Sequence, residues 1–231
     1  FYRDWVRALP DEVTTLVNLT TAPPAPFLPE AVHGKPIVAV IAVHAGEPEH
    51  GRALVQPLKD LGDPIVDLIG VMPYTAMQSL LDPLWPRGVH NYMRSAYVDE
   101  LNDVAISAVV GQHRAVPSPL SEVHLHHFGG AVAHAGDDDA AFGDRSAQYV
   151  LNVIGRSPDA EGFDATVAWA RDTTQALAPV SRDGAYVNFM GDAGDERLRA
   201  SYGDANYERL VALKRRYDPT NLFSLNQNIT P

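Results

Sequence analysis

The chain has 231 residues, 45% of them hydrophobic and 20% charged, with a net charge of −11 and an isoelectric point near 5.1. That is enough apolar material for one large core or two small ones, and an acidic chain whose basic runs stop at Lys214-Arg215-Arg216 is a poor match for nucleic acid or an anionic membrane surface. No apolar run approaches the roughly 20 residues of a membrane span, and the lack of cysteine excludes disulfides, a thiol nucleophile and thiolate metal sites.

The sequence begins at Phe1 without a methionine, which reads as part of a longer chain. No secretory leader is visible at this end, and the balance favours a cytoplasmic over a secreted setting. Phe1 to Leu9 has the pattern of a helix end stopped by Pro10. Glu12 to Thr21 is rich in β-branched residues and predicts a strand. Five prolines make residues 22–36 a loop. Ile37 to Val43 is apolar throughout, which predicts a strand buried on both faces. Glu47 to Leu61 reads as a helix with Pro48 in its first turn, Ile65 to Met72 as a third strand, and Pro73 to Leu81 as a short helix. A loop follows to Tyr92.

Val98 to His113 carries one apolar face at helical spacing through Leu101, Val104, Ala105, Ala108 and Val109. Val123 to Phe128 predicts a strand ending in Gly129-Gly130, Arg145 to Ile154 another, and Ala160 to Leu177 a helix. In Ala185 to Met190 the alternation puts Tyr186 and Asn188 on one strand face and Val187 and Phe189 on the other. Asp195–Tyr202 and Asn206–Tyr217 predict two helices, the second stopped by Asp218-Pro219. This order predicts an α+β fold: a mostly antiparallel sheet with helices on one face and the other face free for a cavity. No glycine-rich phosphate loop between strand and helix is present.

The order of parts from Gly184 onward, a Y-x-N strand, an N-Y-x-R-L helix, a Y-D-P-x-N-L-F turn and a Q-N-I tail, resembles the carboxy-terminal end of the berberine bridge enzyme-like flavoprotein oxidases, within the vanillyl-alcohol oxidase and p-cresol methylhydroxylase superfamily. Upstream, Pro73-Tyr74 with Gln78, Pro86-Arg87-Gly88, Tyr92-x-x-Ser95-x-Tyr97, Gly129-Gly130-Ala131-Val132 and Ala141-Phe142-x-x-Arg145 are similar to that family's substrate domain. The resemblance divides the chain into a substrate-binding part, 1–183, and a closing segment, 184–231, packed back on it. It implies FAD, bound chiefly by an amino-terminal domain not found in this sequence, often covalently through a His and a Cys there. That half and a small-molecule substrate are the implied partners, and a homodimer is left open.

The implied chemistry is oxidation of a C–H bond at an alcohol or amine carbon of a sugar or natural product, with oxygen as acceptor. It implies no turnover by these 231 residues alone. By the match to Y-x-N, Tyr186 is the implied base, although Phe189 stands where a second tyrosine is common. Asn188 and Asn221 are the implied cofactor contacts, Asn221 also suiting a local turn after Asp-Pro-Thr. Plant members carry an acidic base just past the Gly-Gly pair, and the matching position here is His134. His124 and His126 alternate onto one strand face; under the resemblance they contact substrate, together with His134. As a metal site the pair lacks a third ligand at any telling spacing, Asp137-Asp138-Asp139 reading as a solvated loop, so no metal is expected. The alternative is a non-catalytic, ferredoxin-like binding or dimerisation module in which Tyr186 and the histidines only shape a pocket.

Overall fold

The computed structural model describes residues 1–136, 139–191 and 194–231. Chain order runs α1 (Tyr2–Val6), β1 (Val13–Thr21), β2 (Pro36–His44), α2 (Pro48–Lys59), α3 (Tyr74–Gln78), β3 (His90–Val98), α4 (Asp103–Arg114), β4 (Glu122–His127), α5 (Ala131–His134), β5 (Tyr149–Ser157), α6 (Phe163–Ala176), α7 (Gly194–Tyr202) and α8 (Asp204–Tyr217). The five strands form one fully antiparallel sheet in the order β2-β1-β4-β5-β3. The fold is α+β, as the order of elements predicts.

One face of the sheet is sealed by α4 and α6. Val17, Leu19, Val123, Leu125, Leu151 and Val153 point to that side and pack with Ala105, Val109, Trp169, Ala170 and Leu177 in one buried cluster. Asn102 caps α4 by accepting from the Ala105 N–H at 3.0 Å. The ring Nε2 of His113 and the Thr20 carbonyl, 3.2 Å apart, tie that helix to β1. Gly155 lets α6 lie close on β5, since a Cβ there would stand 2.5 Å from the Thr166 carbonyl oxygen.

Three predicted elements differ, and one strand has no counterpart among the predicted elements. Ile65 to Met72 forms no strand. Asp67 instead accepts from the Ile69 N–H at 2.9 Å and pairs with Lys59 at 2.8 Å, local bonds that compete with sheet pairing. Ile65, Leu68, Val71 and Met72 are exposed. The β2 strand is an edge strand rather than one buried on both faces, with Val38 63% exposed. The β3 strand was not predicted from its sequence: both of its faces mix polar and apolar side chains, so no alternation marks it. Its outer edge is closed by the Gly191 N–H (2.8 Å to the Met93 carbonyl), the Arg197 guanidinium (2.8 Å to the Ser95 carbonyl) and a bridge from Ser181 to Val98. Finally, Ala185 to Met190 is not a strand but holds a 3-10 turn at Val187–Phe189. With the β3 edge already closed by other groups, no ladder position is left for it there.

Candidate active site

The sheet face turned away from α4 and α6 carries a row of polar side chains. Register places Asn18 opposite His124, His124 opposite Asn152, and Asn152 opposite Ser95, so four strands contribute one residue each. The neighbouring row is Leu16, His126, Val150 and Tyr97. His124 and His126 therefore share this face, as their alternation predicts, with ring centroids 5.8 Å apart.

Beside the polar row, on the same face, lies a buried charge network. Glu122 and Arg156 are 4% and 3% exposed. One Glu122 oxygen accepts from Asn18 Nδ2 at 2.8 Å and lies 3.3 Å from His124 Nε2; the other lies 3.4 Å from Arg156 Nη1. Burial alone pushes the Glu122 carboxyl up, but His124, Asn18 and Arg156 outweigh it and hold the group below its ordinary value. His126 has no such partner. Burial, with the neighbouring His124 adding to it, brings its pKa down to about 4, so the ring is neutral at physiological pH.

Tyr186 is fixed to this face through its backbone. The Ser95 hydroxyl accepts from the Tyr186 N–H at 3.1 Å and donates to the Tyr186 carbonyl at 3.3 Å. The Tyr186 ring sits among Phe128, Phe142 and Phe189 at centroid distances of 5.8, 5.4 and 4.9 Å. Phe189 also packs on His126 at 5.1 Å, so the turn brings Phe189 to the same side as Tyr186 rather than opposite it. Asn188 Nδ2 donates to the Tyr186 hydroxyl at 2.7 Å. Gly143 lets the Phe142 loop approach α7, where any Cβ would collide with the Ser201 carbonyl.

Other predicted residues lie apart from this cluster. His134 is exposed and pairs through Nδ1 with Asp11 at 3.2 Å. Asn221 adopts φ +54° in the turn after α8, where its N–H donates to the Asp218 carbonyl at 3.0 Å, so it serves the turn as its sequence context suggests. Among the described residues its buried side-chain oxygen has no partner, and neither has that of Asn228. The tail carrying these amides is tied to the Tyr186 turn by Gln227 Nε2, which donates to the Met190 carbonyl at 2.5 Å. An open groove of about 500 Å³ runs there between Met190, Leu198, Asn226 and Asn228.

A flavin ring presents both hydrogen-bond donors and acceptors beside an apolar surface. The unpartnered amides, neutral His126 and the aromatic nest have the chemistry to meet such a ring. For a metal, no group of three or more His, Cys, Asp or Glu converges among the described residues, and Asp137 and Asp138 lie outside them.

Asn18, Ser95, Glu122, Asn152 and Arg156 were not singled out as site residues from the sequence. Glu122 stands two positions before His124, so the alternation that joined His124 to His126 also reaches it. The remaining four are joined only by strand register.

A family profile described as "Berberine and berberine like" matches residues 185–230, starting at the Tyr186 turn. An FAD-linked oxidoreductase of Dictyostelium discoideum is 28% identical over 225 residues, which are 96% of this chain and 46% of that protein. Among solved structures, 6-hydroxy-D-nicotine oxidase of Arthrobacter nicotinovorans superposes with a TM-score of 0.80 at 22% identity, over 99% of this chain and 50% of that one. Berberine bridge enzyme of Eschscholzia californica gives 0.75 at 17%, over 100% and 51%. The chain thus spans about half the length of these relatives. The solved structures show that the chain shares the α+β fold of these proteins. Residues 185–230 match the berberine-like profile, and over nearly its whole length the chain is similar in sequence to an FAD-linked oxidoreductase.

Proposed function

We propose that the chain is the substrate-binding part of an FAD-dependent oxidase that oxidises a C–H bond at an alcohol- or amine-bearing carbon of a small molecule, such as a sugar or natural product, with oxygen as acceptor. The observation that carries this reading is the Tyr186–Asn188 hydrogen bond of 2.7 Å, held in an aromatic nest where the berberine-like segment begins. Residues 1–183 supply the substrate wall and 184–231 the catalytic turn and its support. FAD is bound mainly by a half of the protein outside these 231 residues, and when bound it supplies the hydride acceptor.

Tyr186 acts as the general base, taking a proton from the substrate hydroxyl at its Oη. The Asn188 amide donates to that oxygen and fixes its direction. Phe128, Phe142 and Phe189 pack around the ring and hold it in one orientation. His124 and His126, with the more remote His134, contribute to substrate binding, and neutral His126 can donate or accept there. Asn188 and Asn221 contribute amides to the cofactor side. Without the flavin-binding half the chain does not turn over.

The test is Tyr186→Phe in the flavin-loaded full-length protein. Loss of a general base lowers the rate of flavin reduction by about 10²- to 10⁴-fold, with the flavin absorbance between ~350 and 550 nm unchanged. Turnover at the wild-type rate would sink the assignment.

A further inference from the structure

We infer that Glu122 is a positioning residue of this site, a buried carboxylate that fixes the direction of His124 and, through Arg156, the seat of the Leu84–Trp85 turn. The inference rests on the reading of His124 as a substrate contact.

Its physical basis is the number and origin of the bonds Glu122 accepts. Asn18 donates to it from β1 and Arg156 from β5, and the Nε2 of His124, in β4 itself, stands 3.3 Å from it, all three buried. An ionised carboxylate only accepts, so it favours the His124 tautomer that carries its proton on Nε2, the nitrogen turned toward it, and leaves Nδ1 to accept. One carboxylate therefore sets both the ring orientation of His124 and the atom it offers.

Arg156 extends the same control outward. Its Nη2 donates to the Leu84 carbonyl at 2.9 Å and its guanidinium lies 4.4 Å from the centre of the Trp85 ring. Leu84 and Trp85 close the Asp82–Leu84 turn, at the end of a stretch that holds only one short helix and whose apolar side chains Leu68, Val71, Met72 and Tyr74 stand in solvent. That stretch has few bonds of its own to the sheet, and the Arg156 contacts pin its far end to the polar face.

A buried ion pair is weak ground for stability, since apolar replacements of matching volume often do as well or better. Side chains from three strands meeting at one carboxylate, one of them also holding a loop, fit a positioning role instead.

The inference is tested on the chain itself with the paired variant Glu122→Gln/Arg156→Met, which leaves no unpaired buried charge. In the wild-type protein, nitrogen-edited NMR should show one protected imidazole N–H proton on His124 Nε2. In the folded variant that proton should exchange more than 10-fold faster, and the Trp85 indole resonance should move to the position of a solvent-exposed indole. If both signals are unchanged, or the wild type shows no protected proton, the inference is overturned. Should the pair not fold, Glu122→Asp keeps the charge and withdraws the carboxylate by one methylene; loss of protection supports the inference and retention refutes it. In the flavin-loaded full-length protein the same variants should raise KM about 10-fold with kcat within about 3-fold, and an unmoved KM counts against it. The NMR signals require neither flavin nor turnover, so they still decide the matter if the oxidase reading itself fails.

Discussion

The two faces of the sheet are almost equally dry and chemically opposite. Under α4 and α6, Val123, Leu151 and Val153 meet Trp169 and Ala170, and the stabilisation follows from apolar area leaving water, about 1.5–3 kcal/mol for each large side chain fully buried. On the other face Asn18, Glu122, His124, Asn152 and Arg156 are as inaccessible, yet transfer of such groups from water costs free energy that their mutual bonds only offset. Burial energetics explain the first face. The second is explained by what its groups hold in place, and a chain selected for stability alone would have little use for it.

The contrast is broken most directly by separating one charge from its partner. Arg156→Met leaves Glu122 buried without its guanidinium and should cost about 3–5 kcal/mol in urea unfolding. Removing both charges together should cost far less. A single variant as stable as wild type would mean that the face is more hydrated than its burial implies. Acid should weaken the same face next. His126 titrates at about 4 in the folded protein against 6.5 for the free side chain, so between those values the unfolded state binds the extra proton and stability falls as pH falls, by at most about 3 kcal/mol. Glu122, held below its ordinary value, adds to the loss lower down, since its contribution is present above the unfolded carboxyl range and disappears as pH drops through the folded value. Thermal unfolding at stepped pH checks this; His126→Phe should flatten the upper part of the curve.

The same contrast decides what could be read from the sequence. The apolar face was legible because helix periodicity and β-branched runs carry it: α4, α6, β1 and β4 stand close to where the pattern places them. The polar face was legible only along single strands. His124 and His126 follow from alternation in β4, but Asn18, Asn152 and Ser95 meet them through cross-strand register, which no local pattern encodes. The β3 strand was lost because both of its faces face demands other than burial, Ser95 gripping the Tyr186 backbone while Tyr92 and Arg94 bond each other at 3.4 Å. Conversely, Ile65–Met72 has strand composition without an edge to join.

A smaller effect separates Ser95 from the charge network. Its hydroxyl is both acceptor and donor for the Tyr186 peptide, so Ser95→Ala leaves a partly buried N–H and C=O without this partner, at a cost of about 1–3 kcal/mol. The informative readout is local: amide exchange at Tyr186 should accelerate while that of Leu151, in the apolar core, stays put. Equal acceleration at both positions would mean that Ser95 supports the sheet as a whole rather than the turn.

The least change in stability, and the cleanest functional separation, is expected at Asn221. Its backbone sits at φ +54°, a conformation in which Asn is tolerated and Gly is at ease. Asp218 organises the turn independently, its carboxylate accepting from the Leu222 and Phe223 N–H groups at 2.7 and 3.1 Å and from Lys214. Asn221→Gly therefore keeps the turn and should alter stability by no more than a few tenths of a kcal/mol, while deleting the buried amide oxygen that has no partner among the described residues. Under the oxidase reading that oxygen faces the cofactor, so the full-length variant should bind FAD at least several-fold more weakly with its Tm unchanged. Wild-type FAD content in the variant would return Asn221 to the turn alone and leave Asn188 as the remaining amide on the cofactor side.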